Sequence, residues 1–417
     1  MATNPSVFSP PAAPRRIKTR CVFFLPGYEP LTPEALHQRF QNGLARFQRT
    51  WNVTATLSPP ISRNGAVSWQ IDSGGLNWRV RTDVTLLHYS EIVLADFDGP
   101  RLRLVWRGLA AIFDFLLFGA AAGYLRASWR YFLFFLFPIL LFGLFGVIGF
   151  AAAWYAVALG LPWSLAALAG LVCGALLIHW AGRVLHLYYI LRNWSFAADI
   201  VRQRRPEYEA KLDAFARTFA ERVDTEADEI VVLGYSLGAV AMMQVVARVL
   251  QREPQIVSRG TRISLITVGS SLLKIGLHHG AHDFRAAVSK VVDEAGVYWV
   301  EYQSIADFLN FYKTDPVAEM RLPARDKPIV RIARIREMVT EANYRRMRWN
   351  PLRLHQQYVF GNERRYFYDF FMICCGPVPL QRRVESPIQE AVHAFAPDGA
   401  YHAPAAISSD VLPAEIG

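Results

Sequence analysis

Residues 229–250 read EIVVLGYSLGAVAMMQVVARVL. Glu229–Leu233 is a short apolar run of the kind that forms a buried strand, and Ala239–Val249 is an apolar run of helical length. Between them, Gly234-Tyr235-Ser236-Leu237-Gly238 matches G-x-S-x-G. As a bare pentapeptide this is a weak signal. Its place between a strand and a helix makes it stronger, because a nucleophile elbow needs a strand–turn–helix corner. Such a corner strains the serine and raises its hydroxyl above the sheet. Gly234 and Gly238 remove side chains where strand and helix approach, and the helix N-terminus favours developing negative charge. Ser236 is therefore a candidate nucleophile. The plainer alternative is a Gly-rich corner with an inert serine.

A serine hydroxyl needs a base, and the base needs an acid to orient it; behind an elbow of this type they follow in the order acid, then histidine. After Ser236 the chain has His278, His279, His282, His355, His393 and His402. The first three lie in GLHHGAHD, too early for an acid to intervene, and the last two lie in a Pro- and Ala-rich tail. His355, in LRLHQQYVFGN, remains as the base, against the alternative of a surface histidine. The strand-like GVYWVEY (Gly296–Tyr302) is followed by QSIAD, which places Asp307 just past its end. Asp315, before Pro316, is the alternative acid. Either could instead cap a helix, the commoner role of Asp in such a position. An oxyanion hole needs two backbone N–H groups. One is that of Leu237. The other is that of Tyr28, in Pro26-Gly27-Tyr28 after the apolar run RCVFFL (Arg20–Leu25).

On the N-terminal side, Pro33–Trp51 has helical spacing. Val53–Leu57, Ala66–Ile71, Leu76–Thr82 and Val84–His88 alternate apolar and polar residues around Asn-Gly and Gly-Gly turns. Ala197–Val223 is amphipathic, and Arg262–Val268 (RISLITV) is another strand. Strands alternating with helices predict an α/β fold with a mostly parallel sheet covered by helices. Residues 1–19 read as a flexible leader and 377–417 as a disordered tail.

Tyr131–Gly182 contains no Asp, Glu, Lys or Arg over 52 residues. One helix of that length would run roughly 78 Å, against a hydrocarbon core of about 30 Å. Two transmembrane helices, about 131–159 and 163–182, fit when broken at Gly160-Leu161-Pro162, with a kink at Pro138. The flanks 101–130 and 183–205 together hold ten Arg against two Asp, or +8 of the net +10. By the positive-inside rule both flanks are cytoplasmic. That predicts an integral protein of the inner or plasma membrane with both soluble parts and both termini inside. Gly108–Leu125 is also apolar but carries Asp114, so it reads as an interfacial helix, a lid or a weaker third span. No secretory signal is visible, and Cys21, Cys173, Cys374 and Cys375 have no metal spacing. The charge sits at the membrane flanks, which argues against a nucleic-acid partner.

Taken together, GYSLG, FLPGY, TVGSS (Thr267–Ser271) and the ordered pair Asp307 and His355 resemble the α/β-hydrolase superfamily, in its serine esterase or lipase branch. The resemblance covers roughly 20–100 and 196–376, with 101–195 as a membrane insertion. The resemblance implies a serine hydrolase acting on carboxylic esters, with no cofactor or metal. The hairpin makes it membrane-anchored with the lipid bilayer as partner, and that placement suggests acyl lipids or lysophospholipids as substrates. Two departures stand out. Pro26 occupies the place where many lipases have His, and the gap from Gly27 to Ser236 is long. The alternative is a catalytically inactive membrane scaffold on the same fold.

Overall fold

A computed structural model describes residues 16–63, 65–258, 262–323 and 325–402. Nine strands form one sheet: β1 (Thr19–Leu25), β2 (Thr54–Leu57), β3 (Ile61–Arg63), β4 (Ala66–Gly75), β5 (Trp78–Leu87), β6 (Glu229–Tyr235), β7 (Ile263–Val268), β8 (Val297–Gln303) and β9 (Ile329–Ile332). The order is β2-β4-β5-β1-β6-β7-β8-β9, with β3 on β4. From β5 to β9 every pairing is parallel, while β2, β3 and β5 pair antiparallel with β4.

The parallel strands are continuous apolar runs because both sheet faces are covered. Side chains alternate between two cores, as a period of two requires. Phe23, Val232, Leu265 and Trp299 enter one core, and Val22, Val231, Ile266 and Val300 enter the other. Fully burying each such side chain contributes about 1.5–3 kcal/mol.

The chain leaves β1 for α1 (Pro33–Trp51), whose buried Phe40, Leu44 and Phe47 belong to the second core. It leaves β6 for α9 (Leu237–Arg252), in the first core. Adjacent strands whose exits diverge to opposite faces open a crevice at their C-terminal edge, the usual ligand position in such sheets.

Between β5 and β6 lie α2 (Ser90–Phe97), α3 (Arg101–Leu117), α4 (Ala120–Ala127), α5 (Trp129–Ala158), α6 (Trp163–Val184), α7 (Leu187–Val201) and α8 (Pro206–Arg222). Among the described residues, α5 and α6 are the two single helices long and apolar enough to cross a membrane. Their 30 and 22 residues span about 45 and 33 Å. Leu140, Val147, Phe150 and Leu171 are exposed along them. They meet where Gly149 faces Gly170: a Cβ added at Gly170 would stand 2.5 Å from the Gly149 carbonyl oxygen. Small residues at such crossings let helix backbones approach in lipid. The apolar stretch 108–125 is not one helix. α3 and α4 meet at 75° about Gly119, whose φ is +81°.

Several flank arginines are engaged inside this insert. Arg107 and Arg205 share Asp199, at 2.7 and 3.0 Å, Arg205 also reaches Asp96 at 2.7 Å, and Arg202 clasps Asp114 at 2.6 Å. Arg107, Arg202 and Arg205 thus also hold the insert together.

The described stretches near both ends of the chain differ from expectation. Residues 1–15 and 403–417 lie outside the described part, but the stretches next to them are packed. Ile17 is buried and its N–H donates to the Pro377 carbonyl at 2.8 Å. The stretch from 377, expected to be disordered, forms the short helices Leu380–Glu385 and Ile388–His393 through 402. Few aliphatics suffice there because the backbone itself is captured. Arg20, buried beside Glu229 at 2.8 Å, donates to the carbonyls of Cys374, Gly376 and Val378, and Glu229 accepts from the Leu380 N–H. Val384, Phe395 and Tyr401 then fill the second core. β3 and β9 were not expected, and Trp78–Leu87 is one strand where two were read, since polar Asp83 interrupts its pattern.

Candidate active site

Ser236 stands between β6 and α9 with φ 57° and ψ −125°. This conformation is rare for a residue with a Cβ and is held by its surroundings. The Ser236 N–H donates to the Val268 carbonyl at 3.1 Å, and the Ser236 carbonyl accepts the N–H groups of Ala239 and Ser271 at 3.1 Å each. A Cβ at Gly238 would lie 2.3 Å from the carbonyl oxygens of Leu25 and Pro26, and one at Gly234 would lie 2.5 Å from the Ala239 Cα. Glycine at 238 therefore lets the exit of β1 rest on the first turn of α9. That contact brings the Tyr28 loop beside Leu237, the residue that opens α9. Gly27 is as close to the serine, since a Cβ there would meet the Ser236 Cβ at 2.9 Å.

The Tyr28 loop is fixed from the insert. The Tyr28 hydroxyl donates to Asp96 at 2.8 Å, and the Tyr189 hydroxyl of α7 donates to the Tyr28 carbonyl at 2.7 Å. Burial and the neighbouring Asp96 carboxylate push the Tyr28 phenol well above its ordinary range. Glu29 is gripped by Arg39 at 2.8 and 2.9 Å and by the Gln356 amide at 3.0 Å, which ties this loop to the helix carrying His355.

His355 lies on the short helix Pro351–Gln356 and is 4% exposed. Its Nδ1 is 2.7 Å from the Asp307 carboxylate, which also accepts the Leu309 N–H at 2.9 Å. Asp307 is 2% exposed and sits past the end of β8. Asp315, the alternative acid, is committed elsewhere: it caps Pro316–Glu319 by accepting from the Val317 and Ala318 N–H groups. Of the two candidate acids, Asp307 is the one paired with His355.

The other imidazole nitrogen, Nε2, is buried and has no hydrogen-bond partner among the described residues. A neutral imidazole paired through Nδ1–H presents Nε2 as a free acceptor. His355 and Ser236 share neighbours. The Tyr235 ring centroid is 4.9 Å from that of His355, and Gly269, which follows the partner of the Ser236 N–H, has its pro-Cβ position 3.0 Å from the His355 Cε1. No hydrogen bond joins the Ser236 hydroxyl to His355 among the described residues. His355 and Asp307 are paired, and Ser236 shares neighbours with His355 without being hydrogen-bonded to it. Ser236 is 9% exposed, and cavities lined by Arg248 and Phe284, by Arg103 and Arg192, by Asp96 and Arg204, and by Arg46 and Arg353 lie away from it.

The motif reading missed a buried carboxyl beneath the site. Glu301 of β8 accepts the Ser270 hydroxyl at 2.7 Å and the Thr267 hydroxyl, and Trp299 Nε1 donates to Thr267 Oγ1 at 2.8 Å. Burial pushes Glu301 up to about 8. A signal was present in the sequence: a Glu at the centre of an apolar strand must find hydroxyls or a cation. Lys274, also missed, is 2% exposed with its ammonium 3.8 Å from the Trp194 ring centroid and bonded to Asn193. Burial depresses its basicity. The described residues contain no group of three or more His, Cys, Asp or Glu placed to hold a metal.

Comparison of the chain with protein-family models, with curated proteins and with solved structures gives no match.

Proposed function

We propose that this chain is a membrane-anchored serine hydrolase of the α/β-hydrolase type that cleaves carboxylic esters. The observation that carries the reading is the buried His355–Asp307 pair, 2.7 Å apart, beside a serine in a strained strand–helix corner. In the proposed reaction His355 Nε2 takes the proton of Ser236 Oγ as that oxygen attacks the ester carbonyl. The N–H groups of Tyr28 and Leu237 hold the resulting oxyanion. His355 then delivers the proton to the departing alkoxide, and Asp307 keeps the imidazole in the required tautomer and steadies its charged form. Water repeats the sequence and releases the acid.

An acyl-lipid or lysophospholipid substrate is favoured by position, since α5 and α6 rise from the insert that pins the Tyr28 loop. The proposed placement is an inner or plasma membrane, with both soluble parts and both termini on the cytoplasmic side.

The second reading is an inactive membrane scaffold on the same fold. It is favoured by the small exposure of Ser236 and by the missing hydrogen bond from Ser236 to His355. Reaction of membranes with a fluorophosphonate separates the two. The hydrolase reading expects label on the wild type and none on Ser236→Ala, and an unlabelled wild type would leave the scaffold.

A further inference from the structure

The loop Ser304–Phe311 carries Asp307 and also touches the foot of the hairpin. Its side chains divide in three directions. Asp307 points inward to His355 and is 2% exposed. Phe311 is buried and stacks on Tyr131, in the first turn of α5, with centroids 3.9 Å apart and planes at 26°. Tyr124 of α4 closes on the same ring at 5.6 Å. Ile305 and Phe308 point outward and are 46% and 43% exposed.

Single exposed apolar residues are ordinary. These two differ because they continue an apolar surface that already begins beside them. The Arg130 guanidinium lies 4.6 Å from the Phe308 ring centroid. Trp129 and Leu133, one helical turn apart on α5 and on either side of Arg130, are 63% and 48% exposed. Arginine, tryptophan and phenylalanine together at the foot of an apolar helix have the chemistry of the headgroup layer, where aromatic rings and guanidinium groups both find partners. Other exposed apolar residues of the hairpin, Leu140, Leu144 and Val147, follow further along the same helix.

We infer that Ile305 and Phe308 dip into the headgroup layer of the leaflet from which the hairpin rises, so that the loop holding Asp307 is a membrane-docking element and the site receives its ester from that leaflet. The second half of this inference rests on the hydrolase reading; the first half does not. The occupant is the lipid surface itself, with anionic headgroups favoured by Arg130. The packing of Phe311 on Tyr131 makes the geometry rigid: the depth of α5 in the bilayer sets the depth of the loop.

The test uses the full-length protein in phosphatidylcholine vesicles containing phosphatidylglycerol. A polarity-sensitive fluorophore is placed at Phe308→Cys in a Cys173→Ala background, since the other three cysteines are buried. Leu76→Cys is the control, an exposed residue before the N-terminal end of β5 and so at the opposite sheet edge. The expected result is quenching at 308 by lipids brominated near the headgroup, protection from aqueous iodide, and the reverse at 76. Equal iodide quenching at both positions overturns the inference, whatever the enzymatic outcome.

The kinetic arm compares Ile305→Ser/Phe308→Ser with wild type on a long-chain ester embedded in the same vesicles and on a short soluble ester. The ratio of embedded to soluble rates is expected to fall about tenfold, the order expected when two half-immersed apolar side chains lose their lipid contact. An unchanged ratio overturns lateral delivery. If Ser236 takes no fluorophosphonate, the hydrolase reading fails while the quenching result still decides where the loop sits.

Discussion

Replacing Asp307 by Asn keeps shape and volume but reverses a proton. In the wild type one carboxylate oxygen accepts the Leu309 N–H at 2.9 Å and the other faces His355 Nδ1 at 2.7 Å. The Asn carbonyl can keep the Leu309 bond, which turns the amide NH₂ toward His355. The imidazole must then accept at Nδ1 and carry its proton on Nε2. In that tautomer Nε2 cannot take the serine proton, and the imidazolium loses its counter-charge. Loss of this kind in a serine–histidine–acid system costs about 10⁴ in kcat, or about 5.5 kcal/mol at 1.36 kcal/mol per tenfold. Fold stability should change far less, because buried volume and the Leu309 bond are kept. The assay is hydrolysis of a short chromogenic ester by detergent-solubilised protein, with thermal melting as the control for folding. Asp315→Asn belongs beside it: Asn also caps helices, so both activity and melting should stay near wild type. Asp307→Asn activity within tenfold of wild type, with an unchanged melt, would refute the assignment of Asp307 as the orienting acid.

Three further outcomes follow from the packing. Gly238→Ala should abolish both activity and folded yield, because its Cβ has to occupy space 2.3 Å from two backbone carbonyl oxygens that no rotamer change can move; circular dichroism of the detergent-solubilised full-length protein and ester hydrolysis report it. Arg20→Met should destabilise by about 3–5 kcal/mol, since it strands the buried Glu229 carboxylate and the carbonyls of Cys374, Gly376 and Val378, while Arg20→Met/Glu229→Met should recover part of that loss in a thermal melt. Glu301 holds its proton to about pH 8 when folded and releases it near the ordinary carboxylate range of about 4.3 when unfolded. The native state then binds more protons than the unfolded chain between those values, so its contribution to stability falls as pH rises through that window and levels off above about 8. Melting of Glu301→Gln compared with wild type across that range should show the variant gaining on the wild type by a few kcal/mol, and parallel curves would contradict a buried proton on Glu301.

Local signals carried much of the architecture. The helix Pro33–Trp51 is bounded by a Thr32 cap and by a left-handed Asn52, and its ends coincide with those read from its spacing. β1, β6, β7 and β8 are apolar on both faces, so each announces itself within a few residues. The hairpin was visible because 52 uncharged residues leave few other folds. The Asp307–His355 pairing was reachable from chain order, and its preference over Asp315 from nearness to a strand end. What stayed hidden depends on distant partners. β9 is four half-buried residues that become a strand only against β8. The stretch 377–402 looks disordered alone, and it packs because Arg20, more than 350 residues earlier, binds the Val378 carbonyl and those of Cys374 and Gly376 just before it. Lys274 reads as an ordinary charge until the fold buries it, and Glu301, although flagged by its apolar strand, has no visible partners until the fold brings Ser270 and Thr267 to it. The bend at Gly119 was hidden inside an apolar run that composition alone cannot divide.

The most direct measurement of the central claim is fluorophosphonate labelling of full-length protein in its membrane, with the labelled peptide identified by mass spectrometry. The proposed hydrolase predicts one adduct, on Ser236, lost in Ser236→Ala and strongly slowed in His355→Ala. An unlabelled Ser236 in a folded wild type, or label that survives Ser236→Ala, would contradict it.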